Sequence, residues 1–223
     1  MSTERDTGPR AARSEPGASS TPRGRMPRSE RRRQLLDAAR EVFVGSGYHQ
    51  AAMDDIAERA GVSKPVLYQH FPGKLELYLA LLDLHIEDLV TRIEHAMGGT
   101  TDNKERVRAA VDSYFDFVAS GSQGYRLVFE SDLRNDPQVG ARVAAAQDAC
   151  VESIARAVAS DTDLGAERAR LLSVGLVGLC VSSASAWLAS REQISREEAI
   201  SLMSALLWRG ISTFPTSSTT TTA

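Results

Sequence analysis

The stretch AGVSKPVLYQHF, Ala60 to Phe71, sets a glycine, a serine, a lysine and a proline ahead of a tyrosine, a glutamine and a histidine. Ser63, Lys64, Tyr68, Gln69 and His70 offer a cation and several hydrogen-bonding groups, a set suited to phosphates and base edges. Covalent or metal chemistry has less support. The histidines His49, His70, His85 and His95 pair in sequence with no recognisable nucleophile, metal motif or phosphate loop. His70 reads as a neutral polar contact or core neighbour rather than a metal ligand. No catalytic residue, metal or cofactor is called for.

These side chains need a rigid support. Ala52 to Ala60 reads as a short helix with Ile56 and Ala57 inward, and Gly61 follows where a left-handed turn residue belongs. Ser63 caps a second short helix. Pro65 falls in its first turn, where the N–H it lacks would have no partner. Two short helices joined by a glycine turn form a helix-turn-helix, whose second helix can enter the major groove. Val66 and Leu67 supply its packing face. A helical hairpin inside a core has the same local signals and stays open at this point.

The remaining chain predicts an all-α fold of about nine helices, because apolar residues recur at helical spacing and no strand alternation appears. Ser29 is placed as the cap of a first helix with Leu36, Ala39 and Phe43 inward, ending near Gly45 to Tyr48. After Gly73, the stripe Leu75, Leu79, Leu82, Ile86, Leu89, Ile93 and Met97 marks a long helix with one buried face. Asp102 with Glu105 and Ser195 with Glu198 have the form of capping boxes, and Asp136 precedes a proline at a helix start.

Charge is uneven. Residues 1–40 carry ten arginines against five acidic residues, while the rest carries sixteen basic against twenty-four acidic. Any polyanion therefore belongs at the N-terminal end. Residues 1–28 are too poor in apolar groups to order themselves and read as a basic arm; residues 214–223 read as a frayed tail. The apolar run from Leu171 to Leu188 is interrupted by Gly175, Gly178 and several serines, which argues against a membrane span. Cys150 and Cys180 fit free thiols in a reducing cytoplasm.

Within the C-terminal part, Phe115, Tyr125 and Phe129 at helical spacing suit a core, and a bundle interior is also a usual place for an apolar cavity. Gly175, Gly178, Ser182, Ser185 and Ala189 form a small-residue stripe beside Val174, Val177, Val181, Ala184 and Leu188. That helix either crosses another tightly or builds a dimer interface. The last helix, with Ile200, Met203, Leu206 and Leu207, is its expected companion.

MDDIAERAGVSKPVLYQHFPGKLELYLALL resembles the N-terminal DNA-binding domain of TetR-type transcription regulators, across Ser29 to about Leu89. The resemblance implies DNA contacts from Lys64, Pro65, Tyr68 and His70 and a phosphate contact from Lys74. Ser63, Gln69, Arg28 and Arg32 join the candidate set, the arginines by their position ahead of the first helix. Ala51 and Ala52 depart from the family, which has threonines there, so a helix cap and a hydroxyl contact are expected to be missing.

The implied organisation is a DNA-binding domain over 29–89, with its motif at about 52–71, and an effector-binding and dimerisation domain over 90–213. The family pattern further implies a homodimer on a palindromic double-stranded operator, with Gly175, Gly178, Ser182, Ser185, Met203 and Leu207 at the interface. GYHQAAMDDIAERAGVSKPVLYQHFPGKLELYLALLD, SQGYRLVFESDL and VGLVGL are similar to actinobacterial TetR-type regulators of fatty-acid synthase genes. That likeness implies long-chain acyl-CoA as effector, in a tunnel whose candidate lining is Phe115, Tyr125, Phe129, Cys150, Leu176, Cys180 and Trp187. The competing readings are a TetR-type repressor of a transporter or catabolic gene with an unrelated effector, an enzyme using the helical pocket, and a DNA-binding protein without a ligand.

Overall fold

The computed structural model describes residues 26–119, 133 and 135–211. Among these residues there are eight α-helices and no strand: α1 (Arg28–Gln50), α2 (Met53–Arg59), α3 (Lys64–His70), α4 (Lys74–Gly98), α5 (Asn103–Ala119), α6 (Pro137–Asp161), α7 (Ala166–Ala189) and α8 (Arg196–Ile211). The N-terminal arm up to residue 25, the tail, Tyr125 and Phe129 lie outside the described residues.

Helix α1 packs on α4, α2 packs on α1, and α3 packs on α2, around one shared core. Leu35, Leu36, Phe43, Ile56, Leu67 and Phe71 are buried together with Leu77 and Tyr78. The rings of Phe43 and Tyr48 each meet Tyr78 edge-on at 5.3 Å. Full burial of one such side chain contributes about 1.5–3 kcal/mol, so a small helical unit is stabilised without a large core. Ser29 does not cap α1. The helix already begins at Arg28 behind Pro27, which puts Ser29 inside the first turn. The expected end near Tyr48 is a break rather than a stop: Gly47 takes a φ of 74°, and helix resumes to Gln50. Ala52 occupies the cap position of α2 with no side-chain bond, as the missing threonine predicts.

Helix α4 is about 37 Å long, from its 25 residues at 1.5 Å each. It passes unbroken through residues 89 and 90, so the two parts of the chain share one rod. Packing around it is extensive: α5 and α6 both lie on α4, α7 packs on α6, and α8 on α5, with Arg142 near the start of α6 paired to Asp83 of α4. Both predicted caps on the C-terminal helices form. Asp136 accepts from the Gln138 and Val139 amides at 2.8 and 3.2 Å, and Ser195 Oγ accepts from Glu198 at 3.2 Å. The Asp102 box is one-sided. Its carboxylate takes the Lys104 and Glu105 amides, while its own N–H donates to Thr100 Oγ1.

His85, half-buried on α4, has its pKa lowered from 6.5, first by burial and then by Arg40 on α1, with Asp88 acting the other way. The unfolded chain therefore binds more protons in this range. Stability from the neutral ring is full above pH 6.5 and is lost as pH falls from there toward the folded value. Urea midpoints measured across this range are expected to fall more steeply with acid for the wild type than for His85→Gln.

Candidate nucleic-acid interface and apolar cavity

Leu67 is fully buried and fixes α3 to the core, which leaves the other side of the helix outward. Lys64, Pro65, Tyr68 and Gln69 are exposed, and His70 is half-buried. Tyr68 keeps 48% of its surface accessible, which is unusual for a large ring without an external partner. Ser63 holds the cap position by backbone geometry, its carbonyl accepting from Val66 and Leu67, but its hydroxyl makes no cap bond and stays free for other work.

Charge gathers beside this helix. Lys64 Nζ donates to Asp54 on α2 at 2.6 Å, and that hydrogen bond leads the rise in its pKa. His70 is lowered, first by burial and then by Arg28, Arg32 and Arg31. The start of α1 therefore stands next to the end of α3, with the Arg32 guanidinium 4.4 Å above the Phe71 ring. Arg28 and Arg32 thus lie near His70, at the end of α3.

Lys74 has internal partners that the sequence did not foretell. A cation at a helix N-terminus called for a phosphate, but Nζ reaches across to α1 and donates to the carbonyls of Tyr48 and Ala51 at 2.9 Å each and of His49 at 3.3 Å. It caps the C-terminal carbonyls of another helix, where a cation is favourable. The side chain also lies 4.5 Å above the Tyr48 ring. Lys74→Met is expected to lower stability by about 1–3 kcal/mol, since it strands acceptors of a charged donor. Urea denaturation checks this before any DNA assay is interpreted.

Between α4, α5, α6, α7 and α8 lies an apolar cavity of ≈ 110 Å³. Cys150, Leu176 and Cys180 line it, as the sequence predicts. Burial pushes the Cys150 thiol up to about 11 and the Cys180 thiol to about 12, so both behave as small apolar groups at neutral pH. Phe115 and Trp187 do not line it. They meet each other at 5.4 Å in the core, and Trp187 Nε1 is held by the Ile194 carbonyl at 2.9 Å. Sequence reasoning missed Ile93, Arg106, Tyr114, Gln147 and Trp208, which reach the cavity from four helices. For Ile93 the buried stripe on α4 was a usable signal.

The helix pair and the cavity together narrow the comparison with known proteins. A model of bacterial regulatory proteins of the tetR family matches residues 35–81, and a tetracyclin repressor-like C-terminal domain matches residues 92–221. The chain belongs to the TetR family. As such it is a DNA-binding transcriptional regulator, and α2 with α3 is its helix-turn-helix. It is 48% identical over 215 residues to the HTH-type transcriptional activator FasR of Mycolicibacterium smegmatis, covering 96% of this chain and 98% of FasR. A TetR-like regulator from Rhodococcus sp. RHA1 has a TM-score of 0.67 at 30% identity, over 84% of this chain and 99% of that one. FadR of Bacillus subtilis, crystallised in complex with stearoyl-CoA, has a TM-score of 0.63 over 81% and 97% of the two chains. At 19% identity the likeness to FadR is one of fold.

Regulators of this family bind DNA as dimers. On this TetR-family chain Gly175, Gly178, Ser182 and Ser185 are all exposed on α7, together with Leu171, Val174 and Leu179. Of the apolar stripe beside the small residues, Val174 is exposed, while Val177, Val181, Ala184 and Leu188 pack inward. On α8 the expectation is corrected. Leu207 is buried and lines the cavity, and Met203 packs on the core, whereas Leu202 and Leu206 stay 59% and 57% accessible. By length and apolar composition alone, α7 would pass as a membrane span.

Proposed function

We propose that the chain is a homodimeric regulator of fatty-acid synthesis genes, acting on DNA in the cytoplasm and responding to long-chain acyl-CoA without turning it over. What carries the reading is the double duty of α4. Its first turns hold α1, on which the helix-turn-helix packs, through Lys74 and Tyr78, and Leu89, Ile93 and Met97 of the same helix line the cavity. The likeness to FasR over nearly the whole chain and the stearoyl-CoA complex of a regulator with the same fold support the choice of ligand. The apolar lining suits an acyl chain.

The cavity is smaller than the about 150 Å³ that houses a benzene molecule in an engineered core. A long chain enters only as the helices around it separate. Displacement of α4 then changes the spacing of two recognition helices across a two-fold axis, and operator half-sites lie a fixed number of turns apart. The ligand shifts the equilibrium only by its difference in affinity between the two spacings. The exposed apolar face of α7 is assigned to the partner subunit rather than to lipid. The exposed side chains of α3, with Arg28 and Arg32 beside them, are assigned to DNA; Lys74 acts by holding α1 to α4.

The test is release of a fatty-acid synthase promoter and of the regulator's own promoter by acyl-CoA at fixed salt, in the wild type and in Leu176→Trp. Wild-type release is expected, with operator affinity kept by the variant. The added ring fills free volume, so its sensitivity to acyl-CoA is expected to fall by about tenfold or more, ~1.4 kcal/mol. Promoter binding that ignores acyl-CoA but answers to another metabolite would replace this reading with the repressor of a transporter or catabolic gene.

A further inference from the structure

We propose that the ion pair of Arg106 and Asp161 closes the distal end of the cavity and sets the length of acyl chain to which the regulator responds; this rests on the acyl-CoA reading above. The cavity is apolar along most of its length, but four polar residues meet at one end. Asn103 and Arg106 lie in the first turn of α5, and Asp161 and Thr162 end α6. Met97, at the end of α4, fixes this as the end away from the DNA-binding helices.

Arg106 is tied from several sides. Its Nε donates to the Thr100 carbonyl at 2.7 Å, and one terminal nitrogen donates to Asn103 Oδ1 at 3.0 Å and to Asp161. Thr162 Oγ1 donates to the Val158 carbonyl at 2.6 Å and accepts from the Leu164 amide at 3.3 Å, which fixes the turn behind the pair. The two charged side chains keep 17% and 27% of their surfaces accessible, so they stand between the cavity and solvent.

The pairing decides between two roles. An isolated arginine at a cavity mouth would suit the phosphates of a coenzyme A headgroup. Arg106 instead has its charge matched by Asp161, whose carboxylate repels an anion at the same spot. A neutralised pair, with Nε and one terminal nitrogen of the arginine already engaged, is a stop: an apolar chain end pressed against it would desolvate charged groups at a cost that further methylenes do not offset. The chain therefore lies with its methyl end toward Arg106, and its headgroup leaves elsewhere.

The experiment measures operator release by a saturated acyl-CoA series, from medium to very long chains, with the wild-type dimer, Arg106→Ala and Arg106→Lys. Circular dichroism and sedimentation first confirm folded dimers. Removing the stop opens the end to longer chains. For Arg106→Ala the optimum is expected to move upward, with potency gaining about fourfold for each methylene newly accommodated. Arg106→Lys keeps a long cationic arm and should keep the wild-type optimum. An unchanged optimum in a folded Arg106→Ala dimer overturns the stop, and so does a uniform loss across all lengths, which would put the headgroup at Arg106. A wild type deaf to the whole series brings down the acyl-CoA reading itself, and the stop with it.

Discussion

Tyr68→Ala is expected to weaken operator binding by roughly 1–3 kcal/mol for each protomer's contact while the dimer stays folded. The ring stands on α3 opposite Leu67, which is fully buried, so its removal opens no cavity in the core. Nearly half of its surface faces solvent, where neither packing nor an internal hydrogen bond explains a large aromatic. In a dimer each half-site loses the contact, and the two losses add because they are far apart. Fluorescence anisotropy at fixed salt measures the affinity, and thermal unfolding serves as the control. Wild-type affinity in a folded mutant would take Tyr68 out of the interface. The salt slope separates the kinds of contact: a lost base or stacking contact leaves it unchanged, whereas a lost cation–phosphate contact lowers it by about one.

The reading helix was legible because its signals are local. Gly61 takes the left-handed φ of 63° that its sequence position demands, and Pro65 lies where a proline costs nothing. The internal role of Lys74 was not legible, for the opposite reason. Its partners are carbonyls 23 to 26 residues back in the chain, brought close only by tertiary packing. Helix α4 shows the same limit. One stripe of leucines was evident, but Leu77, Tyr78 and Leu81 are buried as well, because α1 and α6 cover α4 from different sides.

The cavity could not be read from periodicity. Each of five helices contributes part of the lining, and Phe115 differs from Tyr114 only by one step of rotation, yet Tyr114 faces the cavity and Phe115 the core. On α8 two pairs compete. Leu202 with Leu206 and Met203 with Leu207 both recur at four-residue spacing, so either could be the buried row. Packing on α5 selects the second pair. The small-residue stripe of α7 lies on the exposed face of that helix, which is apolar nearly all round and gives no polar face in the sequence to orient it.

That orientation now permits a sharper prediction about assembly. Leu171 on α7 and Leu202 and Leu206 on α8 are 75%, 59% and 57% accessible in one protomer, and α7 also exposes Gly175 and Gly178. Several exposed apolar side chains grouped on neighbouring helices mark an interaction surface, and the glycines let a second helix approach closely. In a two-fold dimer the same patch meets itself, so every substitution appears twice. The double variant Leu171→Glu with Leu206→Glu therefore places four carboxylates in the contact and removes four leucine side chains from it. Even after a large discount for imperfect burial, the expected loss is at least ~4 kcal/mol, about a thousandfold in the dimer dissociation constant. Sedimentation velocity should show a monomer with unchanged helical content, and operator affinity should collapse because a single α3 spans only one half-site. Leu84→Glu, on another exposed leucine in α4, is expected to leave the dimer intact. If the double variant stays dimeric, α7 and α8 do not form the interface, and the coupling of cavity to half-site spacing has to run through a different contact.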